Sequence, residues 1–190
     1  MKRLIPLLLI ILNGCAPWVQ VEGRYESPSH RFSLDAPGGW MRLDTEGYLF
    51  MSKDGPFLEY IMVQERPLDR GFQHTRKKLD SDMLASEAAE VIVDEISSDR
   101  AILNFKLAEN VPATVAGRDG FKLVFTYANR EGLRMKTLYY GLVQADRFYS
   151  IRYTAAARYY CQKHMGTFEE VLKTFRVYPV KAAGLSTSRS

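Results

Sequence analysis

The stretch Leu133-Arg134-Met135-Lys136-Thr137-Leu138-Tyr139-Tyr140-Gly141-Leu142-Val143-Gln144 decides the fold class. Alternate residues of a strand point to opposite faces of its sheet. Leu133, Met135, Tyr139 and Val143 share one face, and Leu138, Tyr140 and Leu142 share the other, after Arg134 and Lys136. A strand that is apolar on both faces needs one layer above its sheet and one below. Residues 102–111, 121–127 and 148–156 also read as strands. The connections Gly117-Arg118-Asp119-Gly120, Asn129-Arg130-Glu131-Gly132 and Gln144-Ala145-Asp146-Arg147 are short enough for hairpins, and short connections force antiparallel pairing.

The first half alternates short strand patterns at 31–36, 48–52 and 58–66 with the turn signals Pro37-Gly38-Gly39 and Asp54-Gly55-Pro56. Residues 81–98 place Leu84, Ala88, Val91, Ile92 and Glu95 or Ile96 on one side at helical spacing, with Glu87, Glu90 and Asp94 opposite. This predicts an amphipathic helix, and Asp80, Ser81 and Asp82 at its start suit both its cap and its dipole. Thr167-Phe168-Glu169-Glu170 has the spacing of a capping box, and Phe168, Val171, Leu172 and Phe175 follow at i, i+3, i+4 and i+7. The expected fold is α+β: an antiparallel β-sheet flanked by helices on both faces.

With 190 residues, 46% hydrophobic and 25% charged, the chain can bury the core of one domain. That excludes a disordered chain and a polytopic membrane protein. Met1, Lys2 and Arg3 precede an apolar run at 4–12, too short to span a bilayer but long enough for the core of a secretory signal. Leu12-Asn13-Gly14-Cys15 resembles the lipobox of bacterial lipoproteins, with cleavage between Gly14 and Cys15 and lipidation of Cys15; Asn13 departs from the usual small or hydroxyl residue. Plain secretion with Cys15 as a thiol and an uncleaved anchor are the alternatives. Loss of Lys2 and Arg3 lowers the formal charge from +4 to +2, so the basic balance is no nucleic-acid signature. The expected organisation is a signal at 1–14, a lipidated N-terminus and linker at 15–23, a folded domain at 24–179 and a disordered tail at 180–190. Cys161 is then without an intramolecular partner and is expected to be buried and inert.

Two segments carry a resemblance. Arg31-Phe32-Ser33-Leu34-Asp35-Ala36-Pro37-Gly38-Gly39-Trp40 is an early strand ending in a Pro-Gly-Trp corner. Phe148-Tyr149-Ser150-Ile151-Arg152-Tyr153, followed by Phe168-Glu169-Glu170-Val171-Leu172-Lys173-Thr174-Phe175-Arg176-Val177, is a last strand and closing helix. Together they resemble the PsbP-like family, an α/β/α sandwich that includes bacterial lipoproteins of the DcrB kind. The resemblance covers about residues 25–177 and implies a non-enzymatic domain that docks on a larger protein assembly. The matching positions, Phe32, Pro37, Gly39, Trp40 and Phe175, are packing positions, so no functional residue carries over; Trp40 is expected to cap the core.

No chemistry-bearing constellation is legible. His30, His74 and His164 lie far from one another and from the cysteines, without zinc-ligand spacing. Asp80-x-Asp82 lacks the glycine and distal glutamate of a calcium loop. There is no nucleophile elbow, P-loop or dinucleotide motif, and the adjacent Ser29 and His30 point to opposite faces of a strand. Accordingly no catalytic, cofactor or metal residue is assigned and the chain is read as no enzyme. The basic segment Arg70-Gly71-Phe72-Gln73-His74-Thr75-Arg76-Lys77-Lys78 offers Arg70, Arg76, Lys77 and Lys78 to an anionic surface, either lipid headgroups or an acidic partner, the plain alternative being a solvated loop. The tyrosines Tyr127, Tyr139, Tyr140, Tyr149 and Tyr153 leave a small apolar or lipid ligand as a second function. The reading is therefore a membrane-anchored lipoprotein, a binding or accessory factor for a protein partner in the bacterial cell envelope, with no nucleic-acid partner. In a diderm, Ala16 rather than aspartate after Cys15 points to the periplasmic side of the outer membrane.

Replacing Cys15 with serine is expected to move the protein from the membrane to the soluble fraction on cell fractionation; retention on membranes would place the anchor elsewhere.

Overall fold

The structure, a computed structural model, describes residues 18–29, 31–45 and 47–178. Gly14, Cys15, the signal, His30 and the tail at 180–190 lie outside the described residues. Strands β1 (Val19–Glu26), β2 (Phe32–Thr45), β3 (Tyr48–Ser52) and β4 (Glu59–Pro67) precede helix α1 (Ala85–Ser97). Then come β5 (Leu103–Val115), β6 (Arg118–Ala128), β7 (Arg134–Gln144) and β8 (Arg147–Ala156), followed by α2 (Tyr160–Lys163), α3 (Met165–Thr174) and the short β9 (Arg176–Val177). They form one sheet in the order β1-β2-β3-β4-β8-β7-β6-β5, with β9 beside β2. Every pairing is antiparallel. The chain is mostly antiparallel sheet with three short helices.

Two clusters of buried side chains divide the strands between them. Val124, Leu138, Leu142, Tyr149, Ile151 and Tyr153 gather with Phe168, Val171 and Phe175. Leu123, Phe125, Tyr139 and Phe148 gather with Ala88, Ala89 and Ile92 of α1. Val124 thus parts from its neighbours Leu123 and Phe125, and Leu138 from Tyr139, which is the alternation that an apolar-on-both-faces strand requires. In β7, Gly141 makes room for a ring: a Cβ there would stand 2.5 Å from Cζ of Phe121. Cys161 is 2% exposed, and burial pushes its thiol pKa up, which suits an inert core residue. Trp40 is 1% exposed and sits edge-on to the His164 ring, 5.5 Å between centroids.

Several local expectations are corrected. Residues 19–23, read as linker, belong to β1, where Val21 buries its side chain against Trp40's cluster. Pro37-Gly38-Gly39 ends no strand. Val21 pairs with Trp40 and Gly23 with Ala36, so these three residues bulge out of a continuous β2, with Gly39 at φ +76°. The tight turn after β5 is Ala116-Gly117, at φ 51° and 76°, the left-handed pair that a two-residue hairpin needs. Helix α1 starts at Ala85 rather than 81. The Leu84 amide donates to the Glu87 carboxylate at 2.8 Å, while Asp80 takes the Asp82 amide in a separate turn. Leu84 is exposed and Ala89 replaces it in the core. Helix α3 starts at Met165, so Thr167 lies inside it and no capping box forms; Glu170 pairs with Lys173 at 2.7 Å instead. The aromatic stripe is in the core as read: Phe168 and Phe175 are fully buried.

Phe168 stacks on Tyr153 with centroids 5.6 Å apart. Phe168→Ala is expected to destabilise the domain by about 3–5 kcal/mol, measured by denaturant unfolding; an unchanged midpoint would contradict its role in the core.

Candidate functional site

At one end of β4 the carboxylate of Glu65 is the meeting point of three elements. The Ser27 hydroxyl accepts from the amides of Arg31 and Phe32 at 3.1 and 3.2 Å, which ties the end of β1 to the start of β2. Beside it the Ser29 hydroxyl donates to Glu65 at 2.9 Å, and Arg31 Nη1 lies 3.1 Å from Glu65 Oε1. Arg147, at the start of β8, places Nη1 3.9 Å from the same oxygen and Nε 3.4 Å from Asp146. Arg147 Nε is buried and makes no hydrogen bond among the described residues.

Two adjoining recesses open here, of about 850 and 470 Å³, sharing Gly47, Tyr48, Glu65, Pro67 and Arg70. Among the described residues lining them are five arginines, Arg31, Arg66, Arg70, Arg76 and Arg147, and one carboxylate, Glu65, which pairs with Arg31 and Arg147. Arg66 lies over the Phe72 ring at 3.7 Å and reaches the Arg70 carbonyl; burial lowers its pKa. Gly71 permits the loop to close, since a Cβ there would stand 3.0 Å from the Arg76 carbonyl oxygen. Burial raises the pKa of the neighbouring Tyr149; the Glu65 charge adds to this, and Arg31 and Arg147 oppose it.

The basic segment read from sequence therefore divides. Arg70 and Arg76 line the recesses, Lys77 turns away to an ion pair with Asp94 of α1, and Lys78 is exposed outside the lining. The segment is clamped by Glu95, whose carboxylate accepts from the amides of His74 and Thr75 and from the Thr75 hydroxyl at 2.9–3.2 Å. Burial raises the Glu95 pKa, but the hydrogen bonds from Thr75 and His74 outweigh it and leave a carboxyl below the ordinary value. Arg31, Arg66 and Arg147 were missed because each stands alone in sequence at the end of a strand; only pairing brings them together.

A third recess, of about 520 Å³, lies where the C-terminal end of α1 meets the sheet. Ile96, Ile102 and Phe125 form apolar walls, and Tyr60, Tyr127 and Arg152 are polar. Arg152 Nε is buried without a hydrogen bond among the described residues, and its guanidinium lies 5.9 Å from the Tyr60 ring centre. Of the five tyrosines singled out above, Tyr127 lines this recess, while Tyr139, Tyr149 and Tyr153 are core.

At the opposite end of β4, Asp54, Glu59 and His164 converge, with donor atoms within 4.8 Å of one another. Spacing gave no sign of this, because His164 follows the last long strand and both carboxylates flank the β3–β4 turn.

The sequence matches no protein-family model and no curated protein. Solved structures share the fold. Cyanobacterial PsbP (CyanoP) from Synechocystis sp. PCC 6803 is similar with a TM-score of 0.57 and 14% identity, covering 87% of this chain and 95% of that one. LpqN of Mycobacterium tuberculosis, involved in cell envelope biogenesis, gives 0.57 and 13%, covering 86% and 91%. The Ran-binding protein Mog1p of Saccharomyces cerevisiae gives 0.52 and 12%, covering 84% and 96%. At such identities the likeness is one of fold, and the fold is PsbP-like.

The depressed Glu95 carboxyl stabilises the 70–78 loop above the ordinary glutamate pKa, and that contribution is lost as pH falls through its lower folded value. A pH titration of the His74 and Thr75 amide resonances is expected to show release in that acidic window, and Glu95→Gln to remove the transition. Titration curves identical in the two proteins would contradict the clamp.

Proposed function

We propose that this chain is a lipid-anchored lipoprotein of the bacterial cell envelope, a non-catalytic accessory domain whose arginine-lined groove receives an acidic segment of a protein partner. One observation carries the reading: five arginines line two adjoining recesses whose described lining holds one carboxylate, Glu65, and that carboxylate is already paired with Arg31 and Arg147. Guanidinium forks match carboxylates in bidentate geometry. The side chains of Arg31 and Arg147 are only 23% and 21% exposed. A planar layer of headgroups does not enter such a recess, whereas an aspartate or glutamate side chain does. The lipobox-like Leu12-Asn13-Gly14-Cys15 supports the envelope setting, as does the use of this fold by LpqN in envelope biogenesis. The Ran-binding Mog1p supports binding rather than catalysis as the work of the fold. The division of the core between α1 and α3 supports the α/β/α sandwich arrangement.

The buried, unpaired Nε of Arg152 favours a second reading, in which an amphiphile enters the 520 Å³ recess with a polar group toward Arg152 and its apolar body against Ile96, Ile102 and Phe125.

Native mass spectrometry of the protein extracted gently from its own membranes separates the two. The expected spectrum shows an acylated chain beginning at Cys15 with a defined protein bound, and the complex is lost in the Arg70→Glu/Arg76→Glu double variant without a change in melting temperature. A complex indifferent to that variant would overturn the groove assignment. A small added mass without a protein would favour the second reading, and an unacylated chain would overturn the anchor.

A further inference from the structure

We infer that Asp54, Glu59 and His164 form a binding site for a divalent transition-metal ion of the zinc type. His164 Nε2 lies 3.3 Å from Asp54 Oδ2 and 3.5 Å from Glu59 Oε1. Three donors held about 2.0–2.2 Å from a tetrahedral zinc ion are about 3.4 Å apart, so the two edges of the triangle that meet at His164 already have the length of a tetrahedral edge, and the third is within 4.8 Å. Solvent or a partner group supplies the fourth position. One imidazole nitrogen with two carboxylates suits zinc or cobalt(II), whereas magnesium and calcium ask for six or more oxygens.

The donors are held by their surroundings rather than gathered by chance at a surface. Glu59 is 0% exposed and His164 8%. The Asp54 amide donates to Glu59 Oε1 at 3.2 Å, and the Tyr153 hydroxyl lies 3.2 Å from Oε2 and donates at 2.6 Å to the Tyr160 carbonyl. The Ser52 hydroxyl ties the turn at both ends, donating to the Glu59 carbonyl at 2.8 Å and accepting from the Gly55 amide at 3.1 Å. Trp40 fixes the imidazole plane edge-to-face. Such supporting contacts orient ligands and raise metal affinity. Lys163 pairs with Asp54 Oδ2 from the solvent side. Its ammonium is the group an incoming cation displaces, and its long exposed stem lets it leave.

The test is titration of the detergent-solubilised full chain with zinc, read by calorimetry, together with cobalt(II) read by its visible absorption. One equivalent of zinc is expected to bind and raise the melting temperature, cobalt(II) to give the intense bands of a tetrahedral site, and magnesium to do neither. His164→Gln and Asp54→Asn are expected to weaken zinc binding by about tenfold or more. Lys163→Ala, which touches no buried group, is expected to tighten it and keeps the test decisive if the other variants unfold. Absence of saturable zinc binding, or binding that is the same in His164→Gln and Lys163→Ala as in the parent, overturns the site.

Discussion

The antiparallel pairing of β4 with β8 is the constraint on which the rest of this structure depends. It runs from Glu59 opposite Ala155 to Pro67 opposite Arg147 and joins two meanders that are otherwise built from short connections. Ile61, Val63, Ile151 and Tyr153 along it are all 0% exposed. A slip of one residue would turn every side chain of one strand to the wrong face. It would drive Arg152 into the cluster around Phe168 and bring Ile151 and Tyr153 out of it, so burial fixes the register. Loop-closure entropy grows only slowly with loop length, and the apolar burial along the seam offsets it. Each chemical feature of the molecule hangs on this register: Glu65 and Arg147 at one end, Arg152 at the middle, Glu59 at the other.

The groove needs a second device. Strand β2 pairs with β3 only over residues 41–45, and the bulge at Pro37-Gly38-Gly39 separates that part from the part that pairs with β9. The far end of the β1–β2 ribbon then returns to β4, where Ser29 and Arg31 reach Glu65. On the way Tyr25, Phe32 and Leu34 join the cluster that holds Phe175.

Much of the fold was legible because its signals are local. Two-fold alternation in 133–144, short polar connections and the 3.6-residue stripe of the last helix each report one element, and each element is present. Two of the misreadings share one physical origin: a proline-glycine run and a capping-box spacing are statistical signs of an end, and tertiary pairing or packing overrode both at Gly39 and Thr167. The site was legible only where its residues cluster in sequence. Arg70 and Arg76 stand in a basic run and were visible, whereas Arg31, Arg147 and the Asp54–Glu59–His164 triangle exist only once long-range pairing has formed.

The charge balance of the groove separates binding from stability. One carboxylate offers about four acceptor positions; Glu65 accepts a hydrogen bond from Ser29 and is ion-paired with Arg31 at 3.1 Å and Arg147 at 3.9 Å. Arg31 Nη1 and Arg147 Nε are buried without a hydrogen bond among the described residues, and the described lining offers Arg70 and Arg76 no carboxylate but Glu65. A buried donor left unmade costs about 1–3 kcal/mol, and like charges gathered around one acid repel. A sheet end selected for stability alone would hold an apolar residue or a second acid there. The acidic segment proposed above would use that donor capacity and recover the cost of the unmade bonds. Glu65 already holds Arg31 and Arg147 in the unliganded chain, and a site ordered in advance loses less binding energy to being arranged.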